Sequence, residues 1–444
     1  MNADASDRTR PPRTGPAPAP ATGPAPADVA GTAFVAGPWR RTAAAAGLLD
    51  DGAPVPTVFE TMTGLAVEHG AVNLGQGFPD ADGPDALLRL AAEAVLAGPN
   101  QYAPGTGEPV LRQAVAEHRR RHWGVTEDPA TQVMITTGAT EGIAATVLAF
   151  VRPGDEVVTV EPFYDSHAAT IALAGARHVS VPVEAPDFLP DPARVADAIT
   201  DRTRLLIVNT PHNPTGAVYP RELLEELVAL CRPRGVLILS DEVYDHLVYE
   251  GEHVSLRSVA GAEDIALTVS SAGKAFAVTG WKVGWLTGPA ELVGAARAVK
   301  QFLTYSSGPA FQRALGAYLP TDDAERHLAG QRERYRDARD RLVAGLRAVG
   351  LDPVVPAAGY FVTVDLAPWG VRRAEDAVVD WAREAGVVGI PVSALCRADR
   401  APGDPGPLDS WLRLAFCKSA DAVDEAMRRL AAAAPALDGR RPRP

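Results

Sequence analysis

Lys274 stands in the run Ser270-Ser271-Ala272-Gly273-Lys274-Ala275-Phe276, one cation among residues with almost no side chain of their own. Lysine forms imines with carbonyl compounds once its amine is held deprotonated. Ser, Ala and Gly leave room beside that amine for a bulky partner. Taken alone, a loop lysine is more often a solvated charge. Two further runs change the weighting: Asn209-Thr210-Pro211-His212-Asn213-Pro214-Thr215-Gly216 and Ser240-Asp241-Glu242-Val243-Tyr244. Each places polar groups directly after an apolar stretch, as the lysine run does. Arg413 lies in Trp411-Leu412-Arg413-Leu414-Ala415-Phe416-Cys417, where Leu412, Leu414 and Phe416 alternate with it. An arginine on so apolar a strand needs a partner. That partner is either a buried carboxylate of the chain or the carboxylate of a ligand, gripped by both arms of the guanidinium.

The elements that must position these groups follow from hydrophobic pattern. Residues 205–208, 236–239 and 265–269 are continuous apolar runs, as expected of parallel strands covered on both faces. Ligands in open α/β sheets sit at the carboxyl ends of such strands, which is where Asn213, Asp241 with Tyr244, and Lys274 fall. Residues 133–137 form another strand, and Gly138-Ala139-Thr140-Glu141-Gly142 opens a helix that runs to Phe150. A strand, a glycine turn and free N–H groups at a helix start make a cup for phosphate. Strand 157–160 ends at Glu161-Pro162-Phe163-Tyr164, delivering an aromatic ring to the same edge. Asn73-Leu74-Gly75-Gln76-Gly77-Phe78-Pro79-Asp80 cannot be regular helix, and its glycines allow a ligand close to the backbone. Residues 84–97 read as a helix with Leu87, Leu88, Ala91 and Val95 on one face. Residues 322–349 read as a long charged helix with Leu328, Tyr335, Leu342 and Leu346 as its inner edge. Residues 360–366, 387–390 and 411–417 read as strands of a second sheet.

In this arrangement the chain resembles the fold-type I pyridoxal-phosphate enzymes, most of all the class I and II aminotransferases of the kynurenine, glutamine and methionine aminotransferase kind. The resemblance runs from about residue 58 to about residue 430. It implies an α/β fold: a large domain with a mostly parallel seven-stranded sheet between helices, about residues 70–315, and a smaller α/β domain from 38–69 and 316–435. It implies pyridoxal 5'-phosphate as cofactor and Lys274 as the Schiff-base lysine, serving as anchor, general base and general acid. By the same resemblance Ala139, Thr140, Ser271 and Lys282 hold the phosphate, and Tyr164 stacks on the pyridine ring. Asp241 keeps the pyridine nitrogen protonated, while Asn213 and Tyr244 donate to the phenolic oxygen. Gly77 and Arg413 bind the substrate carboxylate, and Asn213 contributes there too. Tyr102 and Tyr305 reach the neighbouring subunit's site, which implies a homodimer acting on amino acids and 2-oxo acids.

Composition sets outer bounds. Among 444 residues the formal net charge is −12, against the basic face a nucleic-acid partner requires. No run of eighteen apolar residues suggests a membrane span. Cys231, Cys396 and Cys417 are too far apart for a metal pair or a disulfide framework, and point to a reducing cytoplasm. His212 and His246 lack partner spacing for a metal or a catalytic triad and read as structural, so no metal is expected. Residues 1–36 are rich in Pro, Ala and Gly and read as a disordered tail. They are too short and too poor in apolar residues for the DNA-binding module that would precede a non-enzymatic regulator. Carbon–sulfur β-elimination, or a specialised amino-acid modification, begins with the same proton loss and stays open. The run Leu303-Thr304-Tyr305-Ser306-Ser307-Gly308-Pro309 holds no arginine for a second carboxylate. Neutral donors (methionine, glutamine, aromatic amino acids or kynurenine) are therefore expected ahead of aspartate.

Overall fold

Strand β1 (Val133–Thr137) is followed by β2 (Glu156–Glu161), β3 (Arg177–Pro182), β4 (Thr203–Asn209), β5 (Leu237–Asp241), β6 (Ala266–Ser271) and β7 (Val283–Thr287) in one seven-stranded sheet. This computed structural model describes residues 37–397 and 406–438; the Pro/Ala-rich tail lies outside the described residues. The order across the sheet is β1-β7-β6-β5-β4-β2-β3. All neighbours are parallel except β7, which runs antiparallel to both β1 and β6. The three apolar runs became β4, β5 and β6, with cores buried on both faces. Helices cover those faces.

Register explains why the polar groups converge. Asn209, the last residue of β4, pairs with Asp241, the last of β5, and Asp241 pairs with Val269 of β6. Ser271 pairs with Gly284 on β7, which in turn faces Thr136 on β1. The carboxyl ends thus form one ledge. Behind β5 a buried ionic group secures the turn. Arg119 donates from Nε to Glu127 at 2.8 Å and lies 3.6 Å from Glu242, whose carboxylate also accepts from Ser255 Oγ at 2.9 Å and Leu256 N at 2.9 Å.

A second sheet of four strands has the order β8 (Pro353–Val354), β9 (Phe361–Asp365), β11 (Trp411–Ala415) and β10 (Ile390–Pro391). The run 387–390 is not one strand. Val387 and Val388 pair with Val72 and Asn73, whereas Ile390 and Pro391 pair with β11. The chain changes partner at Gly389, where a Cβ would strike Leu412 and Leu414 at 2.8 Å. Helix α1 (Val58–His69) packs Met62 and Ala66 into the core of this sheet. It starts on a capping box of Thr57 and Glu60 and stops at left-handed Gly70. The piece Trp39–Ala45 departs from it, Arg41 Nε donating to Ala172 O at 3.1 Å beside the large sheet. Helix α2 (Asp85–Ala97) buries Leu87 and Ala91 but leaves Val95 at the surface, because its packed face ends a turn early. Helix α3 (Pro109–Trp123) and α4 (Gly138–Phe150) flank the large sheet. The long α5 (Asp322–Ala348), capped by Thr321, buries all four expected inner residues.

Gly284 is where the ledge is tightest. A Cβ there would lie 2.6 Å from Gly138 C, 2.7 Å from Ala139 N and 2.8 Å from Ser270 O, all backbone atoms. Gly284→Ala is expected to destabilise the chain by about 1–3 kcal/mol and to weaken anion binding at the turn before α4. Denaturant midpoint and phosphate affinity measured on the same preparation check this.

Candidate active site

The ledge opens into a cleft of about 250 Å³. Lys274 enters it from a single helical turn, Ala272–Ala275, that Ser271 caps by accepting from Gly273 N at 3.1 Å. Gln331 Nε2 of α5 donates to the carbonyl of Lys274 at 3.0 Å. The lysine's Nζ donates to Tyr360 Oη at 2.8 Å and approaches Gly77 O at 3.5 Å; Tyr360 donates to the same carbonyl at 2.5 Å. Removal from water disfavours the charged ammonium and lowers the pKa of this amine to about 8. Gly77 is glycine by necessity, since a Cβ would meet Phe361 Cζ at 2.5 Å.

On the floor of the cleft, Asn209 Nδ2 donates to Asp241 O at 2.9 Å and its Oδ1 accepts from Asn213 N at 2.8 Å. Asp241 Oδ1 accepts from Val243 N at 3.3 Å. His167 Nε2 lies 3.5 Å from Asp241 Oδ2 and is buried with no hydrogen bond. The ring of Tyr164 meets that imidazole edge-on at 5.7 Å, and burial pushes its phenol up to about 12. Tyr244, also buried, packs edge-on to Tyr360.

One end of the cleft is made by two left-handed residues. Gly138 has φ +73°, and a Cβ on it would stand 3.2 Å from Lys282 Nζ. Lys282 itself has φ 53°, a conformation a non-glycine residue adopts only under constraint. Ala139, Thr140 and Ser271 complete this wall.

Arg413 is 2% exposed on β11. Its Nη1 donates to Asn213 Oδ1 at 3.2 Å and Nη2 to Gly75 O at 3.0 Å, while Nε has no partner. Phe361 lies 4.0 Å below the guanidinium and Phe59 lies 5.6 Å from it. Among the described residues no carboxylate pairs with it. Burial lowers its pKa to about 10.

Of the residues singled out from sequence, Gly77, Ala139, Thr140, Tyr164, Asn213, Asp241, Tyr244, Ser271, Lys274, Lys282 and Arg413 all line this one cleft. Tyr102 and Tyr305 do not. They face each other edge-on at 5.5 Å, with Tyr102 84% exposed. Tyr360, Asn209 and His167 were missed. An aromatic pair ahead of an apolar strand, and an asparagine closing one, are weak signals by themselves. His212 is a buried support whose ring nitrogens meet Thr215 Oγ1 at 2.7 Å and Pro162 O at 2.9 Å. His246 is not isolated, contrary to its spacing in the chain: it lies 2.7 Å, Nε2 to Nε2, from His118. The chain has four lysines. Two line the cleft; Lys300 donates to Gly105 O and Tyr305 O, and Lys418 pairs with Asp80 at 3.0 Å.

This donor set fits pyridoxal phosphate. It offers a cationic glycine turn for phosphate, a buried carboxylate for a ring nitrogen, a deprotonatable amine for an aldehyde, and unmatched buried nitrogens on Arg413 and His167. Comparison with known proteins agrees. Residues 70–430 match the family described as aminotransferase class I and II. A probable N-succinyldiaminopimelate aminotransferase of Mycobacterium tuberculosis is 45% identical over 382 residues, 84% of this chain and 95% of that protein. The methionine aminotransferase of Escherichia coli is 37% identical over 378 residues, again 84% of this chain and 95% of that one. The solved structure of N-succinyldiaminopimelate aminotransferase from Mycobacterium tuberculosis superposes with a TM-score of 0.81 at 44% identity, covering 85% of this chain and 97% of that one. These relatives are pyridoxal-phosphate-dependent enzymes of amino-group transfer, and the chain belongs to the class I and II aminotransferases.

Proposed function

We propose that the chain moves the amino group of a neutral L-amino acid, sulfur-containing or aromatic, to a 2-oxo acid. One observation carries the choice of donor. The cleft's cationic side chains are Lys274, Lys282 and Arg413. Lys282 faces the phosphate cup and Lys274 the reacting carbon, which leaves Arg413 for the α-carboxylate. No cation remains for an acidic side chain among the described residues, and Lys300, though close in sequence, is spent on backbone carbonyls. The aromatic walls Phe59 and Phe361 reward apolar groups instead.

Bound pyridoxal phosphate supplies an electron sink that acidifies the substrate's Cα proton. Asp241, with His167 3.5 Å from its carboxylate, would hold positive charge on a ring nitrogen. Asn213 and Tyr244, lining the same cleft, would donate to the phenolic oxygen. Lys274 Nζ, poised by burial between charged and neutral, takes a proton and releases it again. Tyr360 and Gly77 O keep that amine aimed into the cleft. We also infer two domains, about 70–315 and 38–69 with 316–435, except that the piece Trp39–Ala45 goes with the large sheet. A homodimer would bring Tyr102 and Tyr305 to the neighbouring cleft, supported by the exposure of Tyr102, Phe302 and Leu96 on the chain's own surface. The three cysteines are all buried, which suits a reducing cytoplasm.

A second reading comes from the 45% identical relative, whose name specifies an N-succinylated diamino acid. One screen separates the readings: kcat/KM for methionine, glutamine, aromatic donors, kynurenine, aspartate and N-succinyldiaminopimelate. Neutral donors are expected to lead. Aspartate ahead of all of them would overturn the donor assignment, and the succinylated substrate ahead would establish the second reading. Pyruvate released from a cysteine conjugate would report β-elimination.

Arg413→Lys keeps charge but loses the fork. With hydrogen bonds to charged groups contributing about 1.5–3 kcal/mol, kcat/KM should fall roughly 10–100-fold for every donor. A loss confined to acidic donors would move Arg413 to the side-chain subsite.

The amine of Lys274 gives a pH test. Its ordinary value of 10.5 is lowered to about 8, so the reactive neutral form is lost only as pH falls through 8. In cofactor-free protein, trinitrobenzenesulfonate modification mapped to the Lys274 peptide should be half-maximal near pH 8. A midpoint at the ordinary lysine value would show that the cleft does not tune this amine.

A further inference from the structure

A group of imidazoles lies outside the cleft, and amino-group transfer uses none of it. His118 and His122 stand four residues apart on α3, in His118-Arg119-Arg120-Arg121-His122, so both project from one face. His246, in the connection after β5, and Glu325, in the first turn of α5, complete the group. Ring centroids are separated by 4.3 Å (His118 to His122), 4.8 Å (His118 to His246) and 4.9 Å (His122 to His246). Nε2 of His118 is 2.7 Å from Nε2 of His246, and Nε2 of His122 is 3.1 Å from Glu325 Oε1. One ligand atom each from His118, His122 and Glu325 lie within 4.8 Å of one another. Nδ1 of His118 is buried without a hydrogen-bond partner.

We propose that His118, His122 and Glu325 bind a divalent transition-metal ion, zinc foremost, with a fourth position left to solvent. Ligand atoms around a tetrahedral zinc stand roughly 3.3 Å apart, given Zn–N distances of about 2.0–2.1 Å. The spacings across this group already bracket that value. Two imidazoles and one carboxylate select zinc or its neighbours over magnesium and calcium, which take oxygen ligands. Nε2 of His118 is engaged with Nε2 of His246 at 2.7 Å, and Nδ1 of His118 is the buried ring nitrogen left without a partner. Arg121 Nη1 touches Glu325 Oε1 at 3.1 Å and competes for it, but the carboxylate has a second oxygen to give.

The ion would fasten two elements distant in sequence, α3 and the start of α5, with His246 packed against His118 from the connection that follows Tyr244. The same α5 carries Gln331, which holds the carbonyl of Lys274. Zinc would thus stiffen the support of the catalytic turn from outside the cleft.

The test uses untagged holoenzyme stripped with a chelator and titrated with zinc chloride by calorimetry. One zinc per chain is expected, with a rise in thermal midpoint as zinc is added and tetrahedral visible bands when cobalt replaces zinc. His122→Gln and Glu325→Gln change partly exposed positions that tolerate substitution, and His118→Gln removes the buried ligand. Each should weaken zinc binding by more than the roughly 10–100-fold that loss of a merely supporting partner costs. Absence of stoichiometric zinc uptake by the unmodified chain overturns the site. So does uptake that all three variants keep unchanged.

Discussion

Arg413 is a guanidinium held out of water between aromatic rings, with no ion-paired carboxylate among the described residues and one nitrogen unmatched. Holding a charge this way is unfavourable by several kcal/mol unless something compensates. The surroundings compensate in part: a carbonyl from the Gly75 loop, the amide of Asn213 and the face of Phe361 each supply partial negative charge. None of these neutralises it. The remaining deficit is what a ligand carboxylate would meet, so binding energy is stored in the fold before any ligand arrives. The architecture around it follows from that need. β11 lies inside the second sheet, packed by α1 and α5 on a core that includes Leu412, Leu414 and Phe416. A rigid strand holds the arginine where a loop would let it swing to solvent.

The other half of the cleft is fixed by register. Because Asn209 and Asp241 end adjacent parallel strands at the same level, one amide braces both the carboxylate's backbone and the loop that carries Asn213. The buried ionic group around Arg119 works from the opposite side, tying down Glu242, the residue next to Asp241. Removing one partner from such a group leaves an uncompensated charge, so these contacts define the turn's position more than they add net stability.

Much of this was legible in the sequence because continuous apolar runs are hard to read as anything but covered strands, and polar residues at their ends had one place to go. Arg413 was legible for the same reason: period-two alternation forced it inside. What escaped notice was whatever depends on contact between distant segments. Tyr360 belongs to β9's approach and touches Lys274 only because two sheets meet there. His118 and His122 sit on a helix whose charged composition masks a four-residue imidazole repeat, and His246 looked solitary because its neighbours are over a hundred residues away. Residues 387–390 divide between two partners because Gly389 permits a close approach that periodicity does not encode. Tyr102 and Tyr305 reach no cleft in their own chain, and no local pattern reveals where an exposed ring is used.

The scarcity of lysine has a chemical consequence. An aldehyde entering this protein meets very few side-chain amines, since surface positive charge is carried almost wholly by arginine, which does not form imines under ordinary conditions. Lys300 is enclosed by carbonyls and Lys418 is neutralised by Asp80. Competition for a carbonyl ligand is thus limited largely by composition to the two amines of the cleft, Lys274 and Lys282.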